Sequence, residues 1–137
     1  MPRIAGLLET SLYVAEMAPA KAFFVDVLGL KPMLSTERLT ALDAGRQGVL
    51  LLFLEGASDA DMPGPNGTVP GHDGSGPVHM AFAIEAEDYD KWKARLAQRE
   101  IPLRSEVAWP RGGRSLYFED PDGHLIELAT PGLWPNY

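Results

Sequence analysis

The sequence contains no cysteine among its 137 residues. The absence of thiols excludes disulfides, thiolate metal sites and cysteine nucleophiles, and it leaves the redox compartment open. Histidine is also scarce, with three residues in the chain. Any metal ion must therefore be held by carboxylates and a small number of imidazoles.

Positive charge is also low, with 12 Lys and Arg residues against 19 Asp and Glu residues and a formal net charge of −7. Binding to phosphate backbones needs clustered cations, and the chain has no such cluster, so nucleic acid is excluded as a partner. The longest apolar run, 49–54, is far shorter than the roughly 20 residues of a membrane helix. The N-terminus has no signal-peptide pattern. We therefore expect a cytoplasmic protein that contacts no membrane, and its length suits a single domain over 1–137.

The first half of the sequence has the periodicities of a strand, a helix and two further strands. Residues 7–14 alternate in the strand manner, and 19–28 carry apolar residues at helical spacing, with Pro19 in the first turn and Gly29 as the stop signal. Two more strands are predicted over 38–43 and 48–54. The order is β-α-β-β, with room for one further strand.

The second half repeats this order. Residues 77–84 alternate as a strand, and 88–101 have helical spacing with Asp88 as the predicted N-cap. Residues 102–110 and the segment "RGGRSLYFEDPDGHLIELATP" at 111–131 predict three more strands, with "DPDG" as a turn device. The chain thus consists of two modules, 5–55 and 77–131, which each have the order β-α-β-β with room for a further strand and so form an internal repeat.

The segment between the modules, 56–76, is rich in Gly, Pro, Asp and Ser and has no periodicity. Its length favours a structureless lid or a connection between the modules, with simple disorder as the alternative. His72 lies in this segment and is predicted to be exposed, or to reach a site if the segment folds over as a lid. The last residues, 132–137, form a tail.

Aligning the two halves gives two pairs of equivalent positions, and three of these four positions carry polar residues. Glu9 aligns with His79, and Leu51 aligns with Glu127. If the modules are related by a pseudo-two-fold axis, these positions converge on it. Two carboxylates and one imidazole, Glu9, Glu127 and His79, would suit a divalent cation such as Fe2+, Mn2+, Zn2+, Ni2+ or Co2+, with coordination positions left open for substrate.

Each of these residues also has an ordinary interpretation. Glu9 alone is typical of a solvated strand residue, and His79 alone of a hydrogen-bonded histidine. Glu127 could pair with Arg111 or Arg114. The coincidence of all three at repeat-equivalent positions favours one shared site. His124 alternates to the opposite face of its strand from Glu127 and is not counted as a ligand.

Further residues are candidates for contact with a substrate. Tyr13 and Tyr117 could orient a bound oxyanion or transfer a proton, or they could complete the core. The other candidates are aromatic or cationic: Phe53, Trp109, Arg111 and Arg114. The two arginines have an alternative interpretation as solvated loop residues that balance an acidic surface.

Three segments, "LYVAEMAPAKAFFVDVLGL", "SGPVHMAFAI" and "RSLYFEDPDGHLIELATP", resemble the signature segments of the vicinal oxygen chelate superfamily, which includes glyoxalases, extradiol dioxygenases, fosfomycin-resistance transferases and bleomycin-binding proteins. The resemblance implies an α+β fold in which paired βαβββ modules form a curved, incompletely closed mixed sheet around a metal site. It places His79 and Glu127 on ligand positions. Glu9 stands where most members have His or Gln, and Leu51 stands where glyoxalases have a fourth ligand, which disfavours a true glyoxalase.

The resemblance implies a metal-dependent enzyme, and we expect a dioxygenase or lyase that binds a small oxygenated substrate through one divalent cation, with transferase chemistry also compatible. The alternative is a non-catalytic drug- or metabolite-binding protein of the bleomycin-resistance kind. A third possibility is a regulatory domain with a relict site. Family members are commonly dimers, so a homodimer is expected, with the tail 132–137 as a candidate interface.

Overall fold

A computed structural model describes residues 1–137, which form ten strands and two main helices. The chain divides into two compact units, residues 1–75 and 76–137. Each unit contains one four-stranded mixed sheet. The predicted α+β class and the βαβββ order of each half are confirmed.

The first unit contains six strands and one helix. Its elements are β1 (Glu9–Val14), α1 (Met17–Ala22) with a π-helical continuation (Phe23–Val27), β2 (Lys31–Ser35), β3 (Leu39–Asp43), β4 (Val49–Leu54), β5 (Met62–Gly64) and β6 (Gly67–Val69). The main sheet has the order β1-β4-β3-β2, in which β1 runs parallel to β4 and the other pairs are antiparallel.

The second unit repeats this arrangement. Its elements are β7 (His79–Ala83), a 3-10 turn (Ala86–Asp88), α2 (Tyr89–Gln98), β8 (Ser105–Ala108), β9 (Arg114–Glu119) and β10 (Leu125–Ala129). The sheet has the order β7-β10-β9-β8, and again only the first pair is parallel.

The register of the two sheets confirms the equivalence predicted from the sequence. Glu9 lies opposite Val49 in the β1–β4 pair, as His79 lies opposite Leu125 in the β7–β10 pair. Leu51 and Glu127 each lie two residues further along. Because side chains alternate along a strand, Leu51 and Glu127 therefore occupy the same face at the same level of their sheets.

One face of each sheet is apolar and packs on the helix of the same unit. The core between sheet and helix contains fully buried apolar residues from both elements: Val14, Phe24, Leu42, Leu50 and Leu52 in the first unit and Leu96, Leu116, Phe118, Ile126 and Leu128 in the second. The other face of each sheet carries the predicted site residues of its strands, with the exception of Arg114, which lies on the core face of β9. The apolar alternation in the sequence thus separates a core face from the face that carries the candidate site.

The first helix differs from the prediction. Instead of one α-helix over 19–28, α1 ends at Ala22, and the next turn widens so that the amide of Leu28 donates to the carbonyl of Phe23, five residues earlier. Gly29 then ends the helix with φ of 77°, as its sequence position predicted. Apolar spacing alone does not distinguish an α turn from a π turn, because the same face remains buried.

The segment 56–76 also differs from the prediction of a structureless loop. It contains the short hairpin of β5 and β6, paired in antiparallel register from Met62–Val69 to Gly64–Gly67. Pro65 and Asn66 form the two-residue connection, which is common turn chemistry. Both strands have three residues and are exposed, so they leave no alternation for sequence analysis to detect.

Two smaller features qualify the sequence predictions. Asp88 stands at the N-cap of α2, but its carboxylate accepts a hydrogen bond from Lys91 Nζ at 2.7 Å instead of capping a backbone amide. In the tail, the hydroxyl of Tyr137 donates to the carbonyls of Ile84 and Ala129, while Trp134 is 63% exposed.

No helix combines the length and the apolar character that crossing a bilayer demands. The expected homodimer stays a prediction.

Candidate functional site

Glu127 is the buried carboxylate at the centre of the second unit. It lies on β10 between β7 and β9, and only 4% of its surface is exposed. An isolated charge in such a position costs several kcal/mol of desolvation, by order of magnitude, unless donors or cations compensate it. One donor is the hydroxyl of Ser115, whose Oγ lies 2.5 Å from Oε2 of Glu127. The other carboxylate oxygen, Oε1, faces His79.

His79 presents one ring nitrogen to that oxygen. Its Nδ1 lies 2.8 Å from the carbonyl oxygen of Leu125, and because a carbonyl only accepts, Nδ1 carries the hydrogen. In the neutral ring Nε2 then has a lone pair, and Nε2 lies 3.2 Å from Oε1 of Glu127. Two acceptors at that distance need a hydrogen or a cation between them, which is either a proton on one of the two groups or a metal ion.

The spacing of these two atoms fits a shared cation. Two ligand atoms bound at about 2.1 Å lie roughly 3.0 Å apart at octahedral angles and about 3.4 Å apart at tetrahedral angles. The observed 3.2 Å falls between these values. The side chain of His79 is 47% exposed, so the pair is accessible from solvent. His79 and Glu127 therefore fit a divalent metal with open positions.

Tyr117 lies next to this pair. It is opposite Glu127 in the β9–β10 register, and its ring centroid is 6.1 Å from that of His79. Burial raises the pKa of the Tyr117 hydroxyl, and the charge and hydrogen bond of Glu127 raise it further. The hydroxyl consequently stays protonated at neutral pH and can donate a hydrogen bond.

Trp109 and Ser115 complete the group that we call the Glu127 site: His79, Trp109, Ser115, Tyr117 and Glu127. The indole Nε1 of Trp109 donates to Ser115 Oγ at 2.8 Å. Trp109 was predicted as a substrate contact, whereas sequence reasoning missed Ser115. Its signal was available, because alternation along β9 puts Ser115 on the same face as Tyr117.

The two predicted arginines have other surroundings. Arg114 alternates to the core face of β9, where its guanidinium carbon lies 3.6 Å from the centre of the Tyr89 ring, and it approaches Asp90 at 3.9 Å. Arg111 is exposed and donates to the carbonyl of Leu133 at 3.3 Å. The structure therefore brings neither guanidinium to the Glu127 carboxylate.

The first unit carries the remaining predicted residues. Glu9 is exposed at the start of β1. The hydroxyl of Tyr13 lies 2.6 Å from Nδ1 of His72, and Phe53 stacks on Tyr13 with ring centroids 5.9 Å apart. The His72 ring also meets Phe53 edge to face at 4.5 Å. His72 is half-buried, so its predicted exposure is wrong; the segment after β6 folds back on its own unit.

Asp120, Asp122 and His124 form a second group of ligand-type atoms. Asp120 Oδ1 accepts hydrogen bonds from the backbone amides of Asp122 and His124, and its Oδ2 lies 2.6 Å from His124 Nδ1. Asp120 and His124 are 5% and 2% exposed. These bonds close the β9–β10 turn, which agrees with the structural interpretation of "DPDG" and with the exclusion of His124 as a partner of Glu127.

The closeness of the segment after β6 to Tyr13 yields a stability prediction. A Cβ built on Gly74 would lie 2.7 Å from Cδ2 of Tyr13. We expect Gly74→Ala to lower the free energy of unfolding by about 1–3 kcal/mol through overpacking, and to accelerate amide exchange over 56–76. Gly6→Ala is the matched control, since a Cβ there meets nothing within 4 Å. Equal exchange in both variants, measured by mass spectrometry, would contradict the packing of this segment on Tyr13.

Two βαβββ modules and a half-exposed imidazole beside a buried carboxylate define a protein of the vicinal oxygen chelate fold. The sequence matches the family model of the Glyoxalase/Bleomycin resistance protein/Dioxygenase superfamily over residues 6–128. The chain belongs to this superfamily, as the resemblance implied.

Comparison with individual proteins agrees. The chain is 28% identical over 133 residues to metallothiol transferase FosB of Bacillus licheniformis, which covers 96% of the chain and 79% of that protein. It is 40% identical over 57 residues to the FosB of Staphylococcus epidermidis, a match that spans 41% of the chain and 40% of that protein. The structure of lactoylglutathione lyase from Agrobacterium tumefaciens superposes with a TM-score of 0.88 at 33% identity, covering 98% of the chain and 99% of that protein. The fosfomycin resistance protein FosX of Listeria monocytogenes, at 22% identity and a TM-score of 0.70, shares the fold.

Proposed function

We propose that the protein is a divalent-cation-dependent lyase that acts on a small oxygenated substrate. The single observation that carries this proposal is the 3.2 Å spacing between Nε2 of His79 and Oε1 of Glu127, with the other atom of each group already hydrogen-bonded within the protein. When bound there, a cation such as Zn2+, Mn2+, Fe2+, Ni2+ or Co2+ supplies Lewis acidity to substrate oxygens.

The protein's own residues have distinct parts in this proposal. His79 and Glu127 hold the cation, and Glu9 is proposed as a third ligand because the sequence resemblance puts it where most family members have His or Gln. The protonated hydroxyl of Tyr117, which is hydrogen-bonded to Glu127, would exchange that partner for a substrate oxygen. Ala81 is small and exposed on the same face, which leaves room for a substrate.

Of the two reactions expected from the sequence, we propose lyase chemistry over dioxygenase chemistry. Its support is the 33% identity to a protein named lactoylglutathione lyase over nearly the whole of both chains. The resemblance places Leu51 where glyoxalases have a fourth ligand, so the proposed lyase binds its metal through three protein ligands and differs in this respect from a true glyoxalase.

A second candidate is thiol transfer to fosfomycin, which the similarity to proteins named metallothiol transferase and fosfomycin resistance protein favours. Assays with fosfomycin plus a thiol and with S-lactoylglutathione, each with and without added Mn2+ or Zn2+, distinguish the two candidates. Drug binding without chemistry, another alternative expected from the sequence, would give ligand binding that is indifferent to chelator.

The metal proposal is tested by elemental analysis and calorimetric titration of protein purified without chelator. We expect one divalent ion per chain in the wild type and little in His79→Ala or Glu9→Ala. Glu16→Ala is the matched control, because Glu16 is exposed just after β1 and its side chain makes no helix-capping hydrogen bond. Full metal content in His79→Ala would refute the site, and full content in Glu9→Ala alone would remove Glu9 from it.

A further inference from the structure

The hydrogen bonds from Trp109 through Ser115 to Glu127 have only one possible direction. An indole N–H can only donate, and a carboxylate can only accept. Trp109 Nε1 donates to Ser115 Oγ at 2.8 Å, so the hydroxyl hydrogen of Ser115 must point at Oε2 of Glu127, 2.5 Å away. This chain of two hydrogen bonds ends on one of the two carboxylate oxygens.

We propose that Trp109 and Ser115 are positioning residues which make Glu127 a one-oxygen ligand and thereby select small divalent cations over Ca2+. The inference rests on the proposed metal site. With Oε2 held by Ser115, only Oε1 faces Nε2 of His79. Ca2+ readily takes both oxygens of a carboxylate, whereas small cations bind well to one oxygen at a short distance.

The backbone around these two residues supports a fixed position for the hydrogen-bond relay, by which we mean Trp109, Ser115 and the two hydrogen bonds that lead to Glu127. Ser115 is fully buried, and its carbonyl accepts a hydrogen bond from the Tyr89 hydroxyl at 3.4 Å. The amide of Trp109 donates to the carbonyl of Gly113 at 2.7 Å, and the amide of Gly112 donates back to the carbonyl of Trp109 at 3.0 Å. Trp109 therefore sits at the base of a closed turn rather than on a free loop.

A close backbone contact holds this turn against the C-terminal segment. A Cβ on Gly113 would lie 2.7 Å from the carbonyl carbon of Gly132, and a Cβ on Gly132 would lie 2.5 Å from the amide nitrogen of Gly113. Gly132 also has φ of 104°. Because only glycine fits both positions, the turn that carries Trp109 is packed at backbone distance.

The test measures cation binding, with no substrate. Wild type, Ser115→Ala and Trp109→Phe are titrated with Zn2+, Mn2+ and Ca2+, and their Co2+ complexes are examined by visible absorption. Loss of an outer hydrogen-bond partner typically weakens metal binding about 10–100-fold. We expect a loss of that size for Zn2+ and Mn2+ in both variants, a smaller loss for Ca2+, and a weaker Co2+ absorption as the freed carboxylate binds through both oxygens.

Trp134→Phe is the matched control, because Trp134 is 63% exposed and outside the Glu127 site; its titrations should match those of the wild type. Thermal unfolding identifies a variant that has lost its fold. If Ser115→Ala is such a variant, Trp109→Phe still tests the proposal, because it keeps an aromatic side chain at its position. Wild-type affinities and an unchanged Co2+ spectrum in Trp109→Phe would overturn the relay and leave the metal site intact. Absence of cation binding in the wild type would overturn both proposals.

Discussion

Glu127→Gln is expected to weaken the binding of Zn2+ and Mn2+ by more than about 100-fold. Loss of a residue that only hydrogen-bonds to a metal ligand costs about 10–100-fold, and loss of a ligand's charge should cost more. The substitution keeps the shape of the side chain but removes its charge. The amide oxygen can still accept from Ser115 Oγ, and the amide nitrogen can donate to Nε2 of His79 across the 3.2 Å gap. We therefore expect the free energy of unfolding without metal to stay within about 1 kcal/mol of wild type.

Calorimetric titration and elemental analysis measure this effect. Glu87→Gln is the matched control, since it removes the same charge from an exposed position in the 3-10 turn before α2. Retention of one bound ion per chain by Glu127→Gln at micromolar protein would show that the carboxylate is not a ligand. A large loss of stability without metal would instead show that the charge of Glu127 is needed by the fold itself.

Tyr89→Phe is expected to remove a loss of stability at alkaline pH. Tyr89 is 2% exposed, and its hydroxyl donates to Glu106 Oε1 at 3.0 Å. Burial, together with the hydrogen bond and charge of Glu106, raises the pKa of Tyr89 to about 12 from an ordinary value of 10.0. The unfolded chain thus releases the phenolic proton at a lower pH than the folded chain does.

The sign follows from proton linkage. Between pH 10 and about 12 the unfolded state binds fewer protons than the folded state, so stability falls as pH rises. Tyr89 alone would account for up to about 3 kcal/mol of this fall. Below pH 10 this loss does not occur and the full stabilisation is present. The unfolding free energy of the wild type should then exceed that of Tyr89→Phe by about 1 kcal/mol through the hydroxyl hydrogen bond.

Urea denaturation of both proteins at pH 8 and at pH 11 tests this prediction. The wild type should be the more stable protein at pH 8, and its advantage should shrink or reverse at pH 11. Because the other titrating groups are common to both chains, they cancel in the difference. A difference in unfolding free energy that is the same at both pH values would contradict the raised pKa of Tyr89.

Much of the fold could be predicted because its signals are local. Alternation identified β1 and β7, a short apolar run identified β4, and the "DPDG" turn identified β9 and β10, while the repeat of the β-α-β-β order identified the modules. The equivalence of Leu51 with Glu127 followed from aligning two short patterns, and the register of the parallel pairs confirms it. The family resemblance, drawn from the same segments, is confirmed by a match over residues 6–128.

The errors occurred where local patterns carry no information. A π turn buries the same apolar face as an α turn, so the break after Ala22 left no sign in the spacing. The β5–β6 hairpin is exposed on all its residues and therefore has no apolar period. The half-buried position of His72 depends on a contact with Tyr13 that spans 59 residues of chain.

The sequence by itself determined the order of strands and helices along the chain, the core face of the alternating strands and the type of side chain at each predicted ligand position, because alternation and helical spacing follow from backbone geometry. Only the tertiary structure decided which atoms meet. It placed Arg114 over Tyr89 on the core face, and it connected Trp109 through Ser115 to one oxygen of Glu127. Those contacts depend on strand register and on the path of a glycine-rich turn, which are set by packing across the sheet and not by neighbouring residues.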